Sequence, residues 1–230
     1  MSPVADLPMD HPSPRRWTKT VAIAMTGASG TGYGLRVLQG LIDAEVRVYL
    51  LISQAAQVVL KMEAGLEVPA RPKQAGQFFT DYLGAQPGQL QVFGRQQWTA
   101  PVASGTNPPD AMAIVPCTTG TLGNIAAGLS EDLIDRAADV VLKERRPLIL
   151  VVRETPFSVI HLENMLRLAR AGAVIMPANP GFYFNPRTLD ELIDFMVARV
   201  LDHLQVPHQL MPRWGDPAAE AEATSCRLGD

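Results

Sequence analysis

Short apolar runs alternate along this chain with stretches in which apolar residues recur every three or four positions. The run TVAIAM over Thr20–Met25 stops at Thr26 and Gly27, as a strand buried on both faces does. Leu35, Leu38, Leu41 and Ile42 then follow a helical period. VRVYLLI at 46–52 predicts a second strand, and Ala55, Val58, Val59 and Met62 a second helix. The stretch 63–109 is less regular: a short helix at 74–83, a short strand at 89–93 and a proline-rich loop over 98–109. AMAIV at 111–115 predicts the next strand and 118–127 a helix. Ser130 is placed to cap a further helix running to Lys143, with Glu131 and Asp132 in its first turn, where the helix dipole favours negative charge. PLILVV at 147–152 predicts a strand and 158–171 a helix, with Ile160, Leu162, Met165, Leu166 and Leu168 largely on one side and Gly172 closing it. A strand at 173–176 follows, and Thr188 with Glu191 predicts a capping box for a last helix over 189–205. Strands and helices alternating in this way predict an α/β fold: a doubly wound, mostly parallel sheet inside a three-layer sandwich. Ligands in such sheets sit at the carboxyl ends of the strands, so functional residues are expected just after them.

Composition narrows the picture. A chain of 230 residues favours one domain, and 47% hydrophobic against 19% charged residues excludes wholesale disorder. Twenty Lys and Arg against 23 Asp and Glu provide no electrostatic driver for bulk binding to nucleic acid or a membrane surface. No apolar run has the ~18 residues of a membrane span. Cys117 and Cys226 lie far apart, which excludes a disulfide framework and makes a reducing, cytoplasmic setting the default. Residues 1–17 read as a flexible Pro-rich tail, 18–214 as one α/β domain, and 215–230 as a mobile tail.

The strand ends carry the candidate chemistry. After the first comes Thr26-Gly27-Ala28-Ser29-Gly30-Thr31-Gly32, where small residues let the backbone approach an anion and the next helix supplies unpaired N–H groups. Read from Gly27 the spacing is G-x-x-G-x-G, neither the dinucleotide fingerprint nor a Walker loop, and a tight turn with no ligand is the plain alternative. Ser53, after the second strand, can cap a helix or bind a phosphate oxygen; taken alone, it reads as a cap. Thr118, Thr119, Gly120 and Thr121, after Pro116 and Cys117, make a second anion nest. Three such ends along one edge point to a bound phosphorylated cofactor. Cys117 reads as a small buried thiol rather than a nucleophile. Arg153 and Glu154 suit either a plain ion pair or an anion clamp beside a proton carrier. Arg136, Lys143, Arg145, Arg146 and Arg153 concentrate positive charge in an otherwise acidic chain. The stretch 177–186 holds three prolines and the aromatics Phe182, Tyr183 and Phe184, a stiff loop suited to walling an apolar pocket. Arg199 stands among Phe195, Met196, Val197, Val200 and Leu201, where a cation meets an anion or escapes to solvent. The histidines show no metal spacing, and no metal site is expected.

The segments VAIAMTGASG, LLIS, PCTTGT, LKERRPLILVVRETPF, HLENMLRLARAGAVIMPANPGFY and PRWG resemble the UbiX/Pad-type flavin prenyltransferases over about residues 19–215. The resemblance implies a flavodoxin-like, Rossmann-type domain that binds reduced FMN. It implies transfer of a dimethylallyl group from dimethylallyl monophosphate to the flavin N5 and C6 atoms without a metal. It further implies a UbiD-type decarboxylase as recipient of the product and a homo-dodecamer with sites at subunit junctions. Carried onto this sequence, it puts Gly27, Ala28 and Ser29 on FMN, with Ser29 near N5, and Ser53, Thr118, Thr119, Gly120 and Thr121 on the rest of the flavin. Arg153 contacts both FMN and the prenyl phosphate, which Lys143, Tyr183 and Arg199 also bind. Glu154 shuttles a proton, Glu63 lies close by, and Arg136 and Trp98 stand near the flavin or a subunit contact. Chemistry agrees: a departing phosphate needs cations such as Lys143, Arg153 and Arg199. Faces of Trp98 and Tyr183 suit a cation-like C5 group, and Glu154 or Ser29 can relay the proton released at C6. Phe184 replaces a His frequent in the family, and Gln54 a frequent Lys. Two alternatives compete: a flavin carrier without catalysis, and an FMN-dependent decarboxylase of the flavin-containing cysteine decarboxylase type. The decarboxylase needs a catalytic His, and His161 is expected within a helix rather than at a strand end.

Overall fold

The apolar runs all become strands of one sheet. The computed structural model describes residues 17–213 and Gly215, so apart from Trp17 and Gly215 the two expected tails, like Cys226, lie outside the described residues. Strands β1 (Thr20–Met25), β2 (Arg47–Ile52), β3 (Leu90–Phe93), β4 (Ala111–Cys117), β5 (Leu148–Val152) and β6 (Val174–Pro177) form a sheet in the order β3-β2-β1-β4-β5-β6. Every pairing is parallel. This is the doubly wound order, and it reverses between β1 and β4, where loops diverge and leave a crevice.

Period-two alternation sends Val21, Ile23 and Met25 into one core and Ala22 and Ala24 into the other. The first core is covered by α1 (Thr31–Asp43), α2 (Gln54–Ala64), α3 (Pro72–Leu83) and α7 (Leu189–His203). The second is covered by α4 (Thr119–Ala127), α5 (Leu133–Lys143), α6 (Val159–Arg170) and a 3-10 turn at Pro101–Ala103 within the proline-rich loop. Gly34 lets α1 lie close on the sheet, since a Cβ there would come within 2.5 Å of the Val115 carbonyl oxygen.

Three local expectations change. Asp132, not Ser130, is the N-cap of α5, accepting from the N–H groups of Ile134 and Asp135; its carboxylate reaches two donors and also pairs with Arg95. The capping box of α7 is half made: Thr188 accepts from the Glu191 N–H, while Glu191 accepts from the N–H of Arg187 rather than of Thr188. On α6, Leu168 alone is buried, and Val159, Ile160, Leu162 and Leu166 are exposed.

Candidate active site

The loops after β1 and β4 are tied together at the switch point by Thr26. Its backbone N–H and its hydroxyl both donate to the Pro116 carbonyl, at 3.2 and 2.8 Å, and its Oγ1 accepts from the Thr118 N–H at 2.8 Å. Thr26 is buried, so its hydroxyl's bond to Pro116 works without competition from water. Thr118 in turn caps α4, its Oγ1 accepting from the Thr121 N–H and donating to the Thr121 hydroxyl. The first-turn N–H groups of Thr119 and Gly120 have no acceptor within the helix. Alongside, the Ser53 N–H donates to the Met25 carbonyl, and the Ser53 hydroxyl accepts from Ala56 N–H as the N-cap of α2. Gly27 is forced by this crowding: a Cβ there would sit 2.4 Å from that of Ala55.

Glu63 occupies the helix start that the glycine-rich turn offers. Gly30, the N-cap of α1, has no side chain to cap with. The Glu63 carboxylate reaches across from α2 and accepts from the N–H groups of Gly30 and Thr31, at 3.0 and 2.9 Å, and from the Thr31 hydroxyl at 2.9 Å. Burial pushes its pKa up, but hydrogen bonds from Ser29, Thr31 and Gly30 outweigh that and hold it below the ordinary value. The anion nest after β1 is therefore filled by the protein's own carboxylate. Its outward-facing part is Ser29, exposed and near enough to the Glu63 carboxylate to help hold its charge, and this is a pair suited to passing a proton rather than to holding a phosphate.

Across the switch point, Arg153 follows β5, its N–H donating to the Cys117 carbonyl at 3.2 Å. Its Nε is buried and has no hydrogen-bond partner. An orphaned guanidinium N–H beside a row of hydroxyls and free helix N–H groups fits the anionic and carbonyl oxygens of a flavin nucleotide. Glu154 beside it is half-buried and accepts from the Thr155 N–H. Cys117 is fully buried, and burial, with the nearby Asp135 charge, pushes its thiol up to about 12, as an inert core residue. His161 lies within α6, in its first turn, as expected, and its Nδ1 accepts from the Ser158 N–H in a capping box.

One chain thus gathers Gly27, Ala28, Ser29, Ser53, Glu63, Thr118, Thr119, Gly120, Thr121, Arg153 and Glu154 along the carboxyl edge. It does not gather Lys143, Arg199 and Arg153 into one group. Lys143 ends α5 beside Gly105, in the loop that leads into β4, at the amino edge of the sheet; it pairs with the adjacent Glu144. Arg199 is exposed on α7, on the other face, and pairs with Asp202 at 2.9 Å. The end of α7 is fastened to the amino edge by Lys19, which donates to the Leu204 and Gln205 carbonyls. Arg136 donates to the Ala103 carbonyl and pairs with Asp139. Trp98 is exposed in the loop after β3, and Tyr183 is exposed after β6. The Tyr183 ring stands edge-on to a stacked pair, Phe184 and Phe195, with centroids 5.9 and 5.8 Å away. Among the described residues no cluster could hold a metal ion, and no helix is long and apolar enough to cross a membrane.

A doubly wound parallel sheet whose switch point is lined by glycines, hydroxyls and an unpartnered arginine defines a nucleotide-cofactor-binding α/β protein. A family model described as Flavoprotein matches residues 11–201. The flavin prenyltransferase UbiX of Pseudomonas aeruginosa is 55% identical over 196 residues, 85% of this chain and 94% of that protein. The solved structure of AnUbiX in complex with FMN and dimethylallyl pyrophosphate shares 40% identity at a TM-score of 0.76, over 86% of this chain and 98% of its own. A dodecameric FMN-dependent UbiX-like decarboxylase from Escherichia coli shares 37% identity at a TM-score of 0.74, over 86% and 99%. The chain belongs to the flavoprotein family and, within it, to the flavin prenyltransferases of the UbiX type.

Proposed function

We propose that this chain is a flavin prenyltransferase that moves a dimethylallyl group from dimethylallyl monophosphate to reduced FMN. The observation that carries the reading is the cradle at the switch point with the orphaned Arg153 Nε, in a chain 55% identical to a flavin prenyltransferase. Bound reduced FMN supplies the N5 and C6 atoms to which the C5 group becomes attached as its bond to phosphate oxygen breaks. The chain's own residues do the rest. Gly27, Ala28, Ser53, Thr118, Thr119, Gly120 and Thr121 form the cradle, and Arg153 faces both anions. Ser29, ordered by Glu63, and Glu154 carry the proton that leaves when the new ring closes. Lys143, Arg199 and Tyr183 take the departing phosphate, while Trp98 and Tyr183 offer aromatic faces to the cation-like allyl group.

Lys143 and Arg199 lie away from the cradle of their own chain, so neighbouring copies deliver them, and the site is completed in a homo-oligomer. A dodecamer, as in the Escherichia coli relative, gives that arrangement. The exposed apolar residues of α6, with Val58 and Met62 of α2, supply surface for such contacts. Arg136, held against Ala103, belongs to the same junction. The product serves a UbiD-type decarboxylase, and the reducing cytoplasm is the fitting location.

Incubating the enzyme with reduced FMN and dimethylallyl monophosphate and taking a mass spectrum of the flavin tests the reading. A flavin heavier by one C5 unit is expected. Unaltered FMN, with loss of carbon dioxide from a peptide ending in cysteine, would favour the decarboxylase. His161, used as a helix cap, gives no support to that alternative.

A further inference from the structure

Thr26 opens the glycine-rich turn with no role of its own assigned from the sequence, and its placement gives it one. We infer that Thr26 is a positioning residue for the flavin cradle, locking the loop after β1 to the loop after β4 so that both present their groups to one ligand. The inference rests on the proposed flavin site. Thr26 is the only residue in the turn 26–32 whose side chain is bonded to the facing loop, among the bonds of the described residues. Its hydroxyl hydrogen goes to the Pro116 carbonyl, which the Thr26 N–H also reaches, and its lone pair takes the Thr118 N–H. That directionality fixes Thr118 in the extended conformation of an N-cap, with φ −72° and ψ 154°. Thr118 then orients Thr121 and the free first-turn N–H groups of α4. The ladder between β4 and β5 shifts register between Ile114 and Cys117, so strand pairing alone does not hold this end of β4 in place. Only a hydroxyl satisfies both partners: Val would leave the buried Pro116 carbonyl with one donor fewer and the half-buried Thr118 N–H without this acceptor.

The test uses the full chain. Thr26→Val, of the same shape, is expected to raise the FMN dissociation constant about tenfold, read by quenching of flavin fluorescence well below the melting temperature. Thr26→Ser, which restores the hydroxyl, is expected to stay within about threefold of wild type. Where Thr26→Val yields too little folded protein, Thr26→Ala is read in the same way. A lower melting temperature with unchanged FMN affinity would make Thr26 a plain core residue and overturn the inference. Arg153→Ala serves as the control for the site itself. If it weakens FMN and Thr26→Val does not, the Thr26 inference alone fails; if neither weakens FMN, the flavin lies elsewhere and the proposed site fails with it.

Discussion

The carboxyl edge of the sheet and the surfaces bearing Lys143 and Arg199 are built by different rules. At the carboxyl edge, polar side chains find partners far away in sequence: Thr26 with Pro116 and Thr118, Glu63 with Gly30 and Thr31. These bonds form when the chain folds, and they leave Arg153 Nε at this edge a buried donor without a partner. Lys143 and Arg199 instead hold near neighbours, Glu144 and Asp202, on exposed surface. Such pairs contribute roughly 0–1 kcal/mol and are readily exchanged for a better anion. On the proposed reading, one half of the site is preformed by a single chain, and the other half consists of exposed cations that a neighbour's cradle and a phosphate would engage.

The comparison breaks most visibly at Arg153. Arg153→Ala is expected to lower turnover by about a hundredfold or more, with FMN retention falling alongside; near-normal turnover would remove the preformed half. A mixing experiment comes next. Lys143→Ala and Arg153→Ala chains, each inactive alone, are expected on co-assembly to regain up to about a quarter of wild-type activity, the share of junctions that draw both intact residues from different copies. No recovery would mean that Lys143 serves its own chain. Gly27→Ala should cost about 1–3 kcal/mol in denaturant unfolding, because the added methyl meets Ala55 at the root of α2; a variant as stable as wild type would show that the loop has slack. Ser53→Ala should cost about 1 kcal/mol through the lost cap of α2.

The smallest effect is one of pH. Because hydrogen bonds hold Glu63 below its ordinary pKa, its contribution to stability is complete above the unfolded-state value and fades as pH falls through the folded one. The gap in melting temperature between wild type and Glu63→Gln should therefore narrow below about pH 5. A gap that does not change with pH would mean that Glu63 is not capping α1 as a carboxylate.

Much of the fold could be read in advance because the information is local. A strand buried on both faces must be a continuous apolar run, as TVAIAM and PLILVV are, and a helix must repeat its apolar residues near a 3.6 period. The carboxyl-edge residues followed from the same logic, since a doubly wound sheet assigns the strand ends to the ligand. Helix caps were less legible: Ser130 and Asp132 are both good caps, and the choice fell to the one that also reaches Arg95. The apolar residues of α6 read as a buried side and are largely exposed, because periodicity reports that a face seeks cover and not which molecule covers it.

By itself, then, the sequence determined the element order, the parallel sheet and which residues stand just after the strands, each set by spacing along a few neighbouring positions. Only the tertiary structure decided that Glu63 fills the nest after β1, that Thr26 joins two loops about ninety residues apart, and that Lys143 and Arg199 stand away from Arg153. The physical reason is that hydrogen bonds and ion pairs act over a few ångströms. Which groups come that close depends on how the sheet is wound and on the crossings of its helices, and no pattern along the chain states those distances.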